Sequence, residues 1–404
     1  MNSNTLAKTG SQSEETAETQ NFEEAVLARY GEGAREAQPE LCCPIDYEAR
    51  YLKVLPQEII DKDYGCGNPS AYVHAGERVL DLGSGGGKIC YILSQKVGAE
   101  GRVTGVDFND EMLALARKYQ RPISDELGYD NVSFQKGKIQ DLALDLDAAQ
   151  AWLRTHPVHT VEQIQDYGAE CDRLRREEPL IADSSIDVVV SNCVLNLVRP
   201  QDKQHLFSEI YRVLAKGGRA VISDIVCDED PSQTLINDPE LWSGCISGAF
   251  REDRFLEMFE EAGFHGVEIV ERQSEPWRVV DGIEFRSMTV RAHAGNDGPC
   301  MEHNEAVVYG GPWKAVLDDD GHTFHRGQRM AVCNKTFTLM TDPNGPYADS
   351  ILGLTPRVPV SADDATPWNA NRDALRHPRE SKGTDYHLTT EGDDAPCCGP
   401  SGCC

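Results

Sequence analysis

The chain has 404 residues, enough for two domains, and a formal net charge of −28. So acidic a balance argues against nucleic acid or an anionic membrane face as partner; the sequence holds no run of about 18 apolar residues, so no membrane span is expected, and the N-terminus lacks the apolar core of a signal peptide. The expectation is a cytoplasmic, reduced monomer, whose 14 cysteines point to metal or metalloid binding, redox chemistry or burial rather than a disulfide framework.

In chain order, residues 1–20 are polar and acidic and read as disordered, and NFEEAVLARYG (21–31) reads as a short amphipathic helix. The adjacent pair Cys42-Cys43 follows, then a predicted helix around Gln57–Lys62. Tyr64-Gly65-Cys66-Gly67 flanks a thiol with glycines, which predicts a loosely packed, accessible cysteine.

Arg78–Asp107 is the organising unit. An apolar strand ends in Asp81, a glycine run Gly83-Ser84-Gly85-Gly86-Gly87 opens an amphipathic helix, and a second strand ends in Asp107. Glycine there allows positive φ and close approach of backbone to a ligand. The helix start offers unpaired N–H groups, and the acid at the next strand tip can take a ribose diol. A dinucleotide would favour GxGxxG, whereas the text is Asp81-x-Gly83-x-Gly85-x-Gly87. An acid ahead of the glycines repels a pyrophosphate but suits a cation, and S-adenosylmethionine carries an ammonium and a sulfonium. DxGxGxG with the following acid resembles motif I of class I methyltransferases. That resemblance implies a Rossmann-like α/β fold with a doubly wound sheet.

Beyond Asp107, a helix over Asp110–Tyr119 places Met112 and Leu113 toward the sheet, and a third strand precedes Gly137-Lys138-Ile139. In class I methyltransferases this last position holds the adenine edge. Residues 142–179 form a charged, helical insertion, with Cys171 structural. The apolar run Ser185–Val190 reads as a strand buried on both faces and leads into Ser191-Asn192-Cys193. Because ligands of open α/β sheets bind beyond the carboxyl ends of strands, Cys193 is expected beside the transferable methyl. A fifth strand is predicted over Arg219–Ser223, with Cys227 in an acidic loop past it. LWSGCISGAF carries Cys245 on the substrate side, and strands through residue 290 complete the domain. Residues 291–355 read as a small β-rich domain, and 356–404 as a flexible tail. That tail ends in Cys397, Cys398, Cys403 and Cys404, a candidate for metalloid capture.

An O-, N- or C-methyltransferase needs a general base or a positioned hydroxyl; these segments offer thiols. Soft thiolates select soft or borderline ions. Trivalent arsenic on three thiolates keeps a lone pair that can attack a sulfonium methyl without losing a proton. The segments YGCG, LDLGSGGGKICYILSQKVG, VTGVD, SNCVLNLV, LWSGCISGAF and the terminal CC-GPSG-CC are similar to the arsenite S-adenosylmethyltransferase family. The β-rich part (VVYGG, then HTFHRGQ) resembles that family's C-terminal domain more weakly. The resemblance implies that Cys66, Cys193 and Cys245 bind arsenic and carry the chemistry. Cys66 would also join the disulfide steps that restore trivalent arsenic, and Cys42 or Cys43 would be a further redox or arsenic thiol. It implies cofactor contacts at Asp81, Gly83, Ser84, Gly85, Asp107, Phe108, Met112, Lys138, Ile139 and Asn192. Arsenite or its thiol conjugate would be the substrate, and thioredoxin or glutathione the reductant. Two other readings stay open: a small-molecule methyltransferase with structural cysteines, and a metalloid-binding protein on an inactive methyltransferase fold.

Overall fold

The computed structural model describes residues 11–38, 47–62, 64–295 and 297–382. Cys42, Cys43 and the four terminal cysteines lie outside the described residues. The chain forms two compact units, divided between Gly295 and Asn296.

The first unit is built on a sheet of order β3-β2-β1-β4-β5-β9-β7. Its strands are β1 (Arg78–Leu82), β2 (Arg102–Asp107), β3 (Val132–Lys136), β4 (Ile186–Asn192), β5 (Leu214–Cys227), β6 (Phe250–Arg251), β7 (His265–Arg272), β8 (Arg278–Val280) and β9 (Ile283–His293). β1 to β5 are mutually parallel, and β9 runs antiparallel to β5 and β7. The short β6 and β8 pair with β5 and β9. The chain winds outward from β1 to β3 and returns to β4 on the other side of β1. The crevice beyond β1 and β4 is therefore the topological switch point, where such sheets take ligands.

The central strands are apolar on both faces because both faces are covered. Val188 and Val190 join one core with Ile89, Ile92 and Leu93 of α4 (Lys88–Val97) and Leu113 of α5 (Asp110–Leu127). Val189 points the other way, into a core with Phe207 and Ile210 of α8 (Pro200–Val213) and Phe255 and Phe259 of α11 (Glu252–Glu261). Each such buried side chain contributes roughly 1.5–3 kcal/mol. α5 begins where the Asn109 side chain accepts from the N–H groups of Glu111 and Met112, and ends on Gly128 at φ +80°.

The insertion is a helical pair, α6 (Leu146–Thr155) and α7 (Val161–Glu177), the latter opened by a capping box between Thr160 and Gln163. Cys171 is buried there with Leu144, Ala149 and Leu174. The unit also contains the short helices α2 (Ala49–Leu52), α3 (Gln57–Asp61), α9 (Gln233–Ile236) and α10 (Pro239–Ser243).

Three expectations change. α1 runs over Ser11–Arg35, so helix replaces the expected disorder from Ser11 onward; SQSEETAETQ contains neither glycine nor proline to stop it. β5 extends to Cys227, which is a fully buried strand residue donating its thiol to the Phe250 carbonyl at 3.3 Å, not a loop residue. The chain beyond 356 is tied down as far as residue 382. Thr366–Pro367 pairs with Met301–Glu302, and buried Arg376 forms ion pairs with Glu302 and Glu380. Polar composition hid this segment because a buried cation, not an apolar stripe, anchors it.

The second unit has a three-stranded antiparallel sheet of Ala306–Tyr309, Arg329–Ala331 and Ile351–Leu354, a hairpin of Ala315–Leu317 with Thr323–His325, and a helix, α12 (Asn334–Met340). Its core holds Val307, Tyr309, Phe324, Met330, Val332, Met340 and Ile351. Among the described residues of the chain, no helix is long and apolar enough to cross a membrane.

Candidate functional site

A deep pocket opens at the switch point. Asp81, Gly83, Ser84 and Gly85 line it from the β1 turn, and Asp107, Phe108 and Met112 from the end of β2 and the start of α5. Lys138 and Ile139 line it after β3, and Asn192 and Cys193 after β4. All ten residues singled out for a cofactor thus share one cavity. α1 contributes Glu23, Val26 and Tyr30 to the same wall, which the sequence reading missed. That helix is fixed by Phe22 stacking on Trp242 at 4.8 Å, by Asn109 donating to the Leu27 carbonyl and by the ion pair Arg35–Glu111.

The glycine turn is pressed onto β2. The N–H groups of Gly83 and Ser84 both donate to the Val106 carbonyl, at 2.8 and 3.1 Å. Gly83 sits at φ +67°, and a Cβ there would lie 2.5 Å from a Val194 methyl. The Asp107 carboxylate accepts from the N–H groups of Gly85 (2.9 Å) and Asn109 (2.8 Å). Burial pushes its pKa up, and those donors oppose the rise. Asp81 is 2% exposed and accepts from the Cys90 thiol at 3.2 Å. The Ser84 hydroxyl is buried with no partner among the described residues, so the turn keeps a polar atom for a ligand. The Lys138 ammonium, by contrast, is held by Glu23 at 3.0 Å, both residues lining the pocket.

The three sequence-predicted thiols converge behind this pocket. Cys66, Cys193 and Cys245 belong to one buried cluster and are 4%, 6% and 4% exposed. Side-chain hydrogen bonds link Cys193 to both others, so Cys193 is the middle thiol. The Cys245 thiol also donates to the Cys193 carbonyl at 3.2 Å and lies 3.7 Å from the Tyr30 hydroxyl. The sulfurs of Cys66 and Cys193 and a carboxylate oxygen of Asp224 all lie within 4.8 Å of one another. The expected loose packing of Cys66 is corrected here. Its glycines serve close approach: a Cβ on Gly65 would meet the Asn192 amide at 2.4 Å, and one on Gly67 the Ser223 hydroxyl at 2.5 Å. Asn192 clamps this loop, accepting from the N–H groups of Cys66 and Gly67 and donating to the Gly67 carbonyl.

Cys193 and Cys245 both take left-handed backbone, at φ +64° and +62°. Such strain costs about 1–3 kcal/mol per residue and tends to persist where function holds it. Cys193 stands well above the usual thiol pKa. Its hydrogen bond with Cys245 lowers the value, but the one with Cys66, burial and the Asp224 charge raise it more. Cys245 is raised by its hydrogen bond with Cys193 and by burial. Cys193 and Cys245 thus rest as neutral thiols, which avoids clustering negative charges in a dry place.

Asp224, just past Ser223 on β5, was also missed. It is fully buried, accepts from the N–H groups of Leu195 and Ile225, and is pushed up to about 6 by burial. Lys203 lies near it, lowered to about 8 by burial, and donates to the Gly248 carbonyl at 2.5 Å. The carboxyl-end rule that found Cys193 applies equally to the SDIVC run and would have found Asp224.

Comparison with known proteins agrees with this geometry. Residues 73–263 match a family model described as a methyltransferase domain, and residues 296–386 match a domain of unknown function. An arsenite methyltransferase of Aquipseudomonas alcaligenes is 31% identical over 79% of this chain and 87% of its own length. One from Rattus norvegicus is 28% identical over 89% of each chain. The crystal structure of an arsenic(III) S-adenosylmethionine methyltransferase from Chlamydomonas reinhardtii superposes with a TM-score of 0.52 at 28% identity, covering 79% of this chain and 99% of that one. A class I methyltransferase fold, its glycine turn and the cluster of thiols behind it therefore go with a kinship over most of the chain: the protein belongs to the arsenite methyltransferase family.

Proposed function

We propose that Cys66, Cys193 and Cys245 hold trivalent arsenic while it is methylated from S-adenosylmethionine, so that the chain acts as an arsenite methyltransferase. The observation that carries this is the convergence of three buried thiols behind a glycine-turn pocket, with Cys193 lining that pocket. Arsenite has three exchangeable hydroxyls. Three thiols displace them as three waters, and each thiol proton leaves with a hydroxyl, so no net charge enters the buried site. Asp224, within 4.8 Å of two of the sulfurs, is placed to relay those protons. Arsenic on three sulfurs presents its lone pair as the nucleophile, so no general base is required.

The pocket residues suit the cofactor. Asp81 and the Gly83–Gly85 turn would hold the methionine part, and the orphaned Ser84 hydroxyl supplies a hydrogen bond there. Asp107 keeps acceptor capacity for a ribose hydroxyl, since a carboxylate offers about four acceptor positions. Phe108 and Ile139 would flank the adenine, with Met112 beside them; Asn192 acts on the Cys66 loop more than on the ligand. S-adenosylmethionine supplies an electrophilic methyl on a sulfonium. The protein orients the two partners and excludes water. Methylation raises arsenic formally by two electrons. We infer that a pair of the site thiols returns them as a disulfide, which thioredoxin or glutathione reopens in a reducing, cytoplasmic setting.

Incubating the protein with arsenite, a thiol reductant and methyl-labelled cofactor tests the reading. Label is expected in methylated arsenicals and in no product when arsenite is omitted. Arsenic binding without consumption of cofactor would overturn it.

A further inference from the structure

The second unit contains a pair of thiols that the methylation site does not use. Cys300 is half-buried and Cys333 is 4% exposed, and both are free. They are 33 positions apart in the chain. The N–H of Met301 donates to the Asn334 side chain at 2.8 Å, which brings their neighbours together, and the two thiols interact directly. The Trp368 N–H donates to the Cys300 carbonyl at 2.9 Å, and the Cys333 thiol lies 3.3 Å from the Thr336 hydroxyl. The apolar core of this unit is built without either cysteine. Burial and the partner thiol raise Cys300, while the charge of Lys335 lowers it.

Two adjoining thiols, one reachable from solvent, match a soft ion with two exchangeable positions. Arsenite has three such positions, a monomethylated trivalent arsenical two, and a dimethylated one a single position. We propose that Cys300 and Cys333 form a second site, which clamps a monomethylated trivalent arsenical through two sulfurs. The reaction balances: two S–H bonds and two As–OH bonds break, two As–S bonds form and two waters leave, with no change of oxidation state. The identity of the ligand rests on the arsenite-methylating reading, but binding to this site is measurable without turnover.

The test uses the full chain with Cys42, Cys43, Cys66, Cys193, Cys245, Cys397, Cys398, Cys403 and Cys404 replaced by serine, titrated with methylarsonous acid. One equivalent is expected to bind, and adding Cys300→Ser should weaken it by about 10²–10⁴-fold, because the second thiol then no longer binds intramolecularly. Equal affinity with and without Cys300→Ser would overturn the proposal. If the nine-fold variant does not fold, the unaltered chain decides. Saturating methylarsonous acid should suppress iodoacetamide alkylation of Cys300, and unchanged alkylation contradicts the site. Normal arsenical binding here with no methylation activity would sink the catalytic reading and leave this one standing.

Discussion

Cys193→Ser is expected to lower arsenite methylation by at least about 100-fold, beyond the 10–100-fold usual for changes outside the ligand shell, while leaving the KM for S-adenosylmethionine within about twofold. The substitution is close to isosteric, so the turn at φ +64° sees no new bulk. The Cys245 thiol donates to the backbone carbonyl of residue 193, and that bond survives. The N–H of residue 193 still donates to the Ser223 carbonyl. What changes is the donor atom: a hydroxyl does not offer a soft anionic ligand to arsenic. Steady-state kinetics with each substrate varied checks both halves. Full activity would show that these thiols are structural.

Asp107→Asn should act on the other substrate. The KM for S-adenosylmethionine is expected to rise by roughly 10–100-fold, from losing hydrogen bonds of about 1.5–3 kcal/mol to a charged group. The carboxylate receives two backbone N–H donors at once, from Gly85 and Asn109. An amide has one acceptor oxygen, so its NH₂ would face one of those donors and leave it unpaired in a buried place. The glycine turn would then loosen as well as lose its ribose acceptor. Arsenite stoichiometry should be unchanged, because Asp107 does not touch the thiol cluster. Cofactor titration and arsenic counting on the same preparation separate the two effects; an unaltered KM would remove Asp107 from the cofactor site.

Much of this was legible in the chain because it is local. Asp81-x-Gly83-x-Gly85-x-Gly87 states a turn whose backbone angles only glycine accepts readily, and Gly83 and Gly85 adopt them. The run of valines at 188–190 states a strand covered on both faces. Cys193 followed from topology alone. What stayed hidden depends on partners distant in sequence. Glu23 and Tyr30 became pocket residues only because Phe22 and Arg35 fasten α1 to residues 242 and 111. Asn192 looked like a ligand contact, yet its amide is largely spent on the Cys66 loop. The pairing of Cys300 with Cys333 needs a hydrogen bond across 33 residues that no spacing rule encodes.

X-ray absorption at the arsenic edge reads directly the proposed placement of arsenic on three sulfurs at the methyl pocket. With the remaining reactive cysteines replaced, protein loaded with one equivalent of arsenite should show three As–S contacts and no oxygen shell, falling to two with Cys193→Ser. An oxygen-dominated shell, or a sulfur count that the substitution leaves unchanged, would contradict three-sulfur binding at this site.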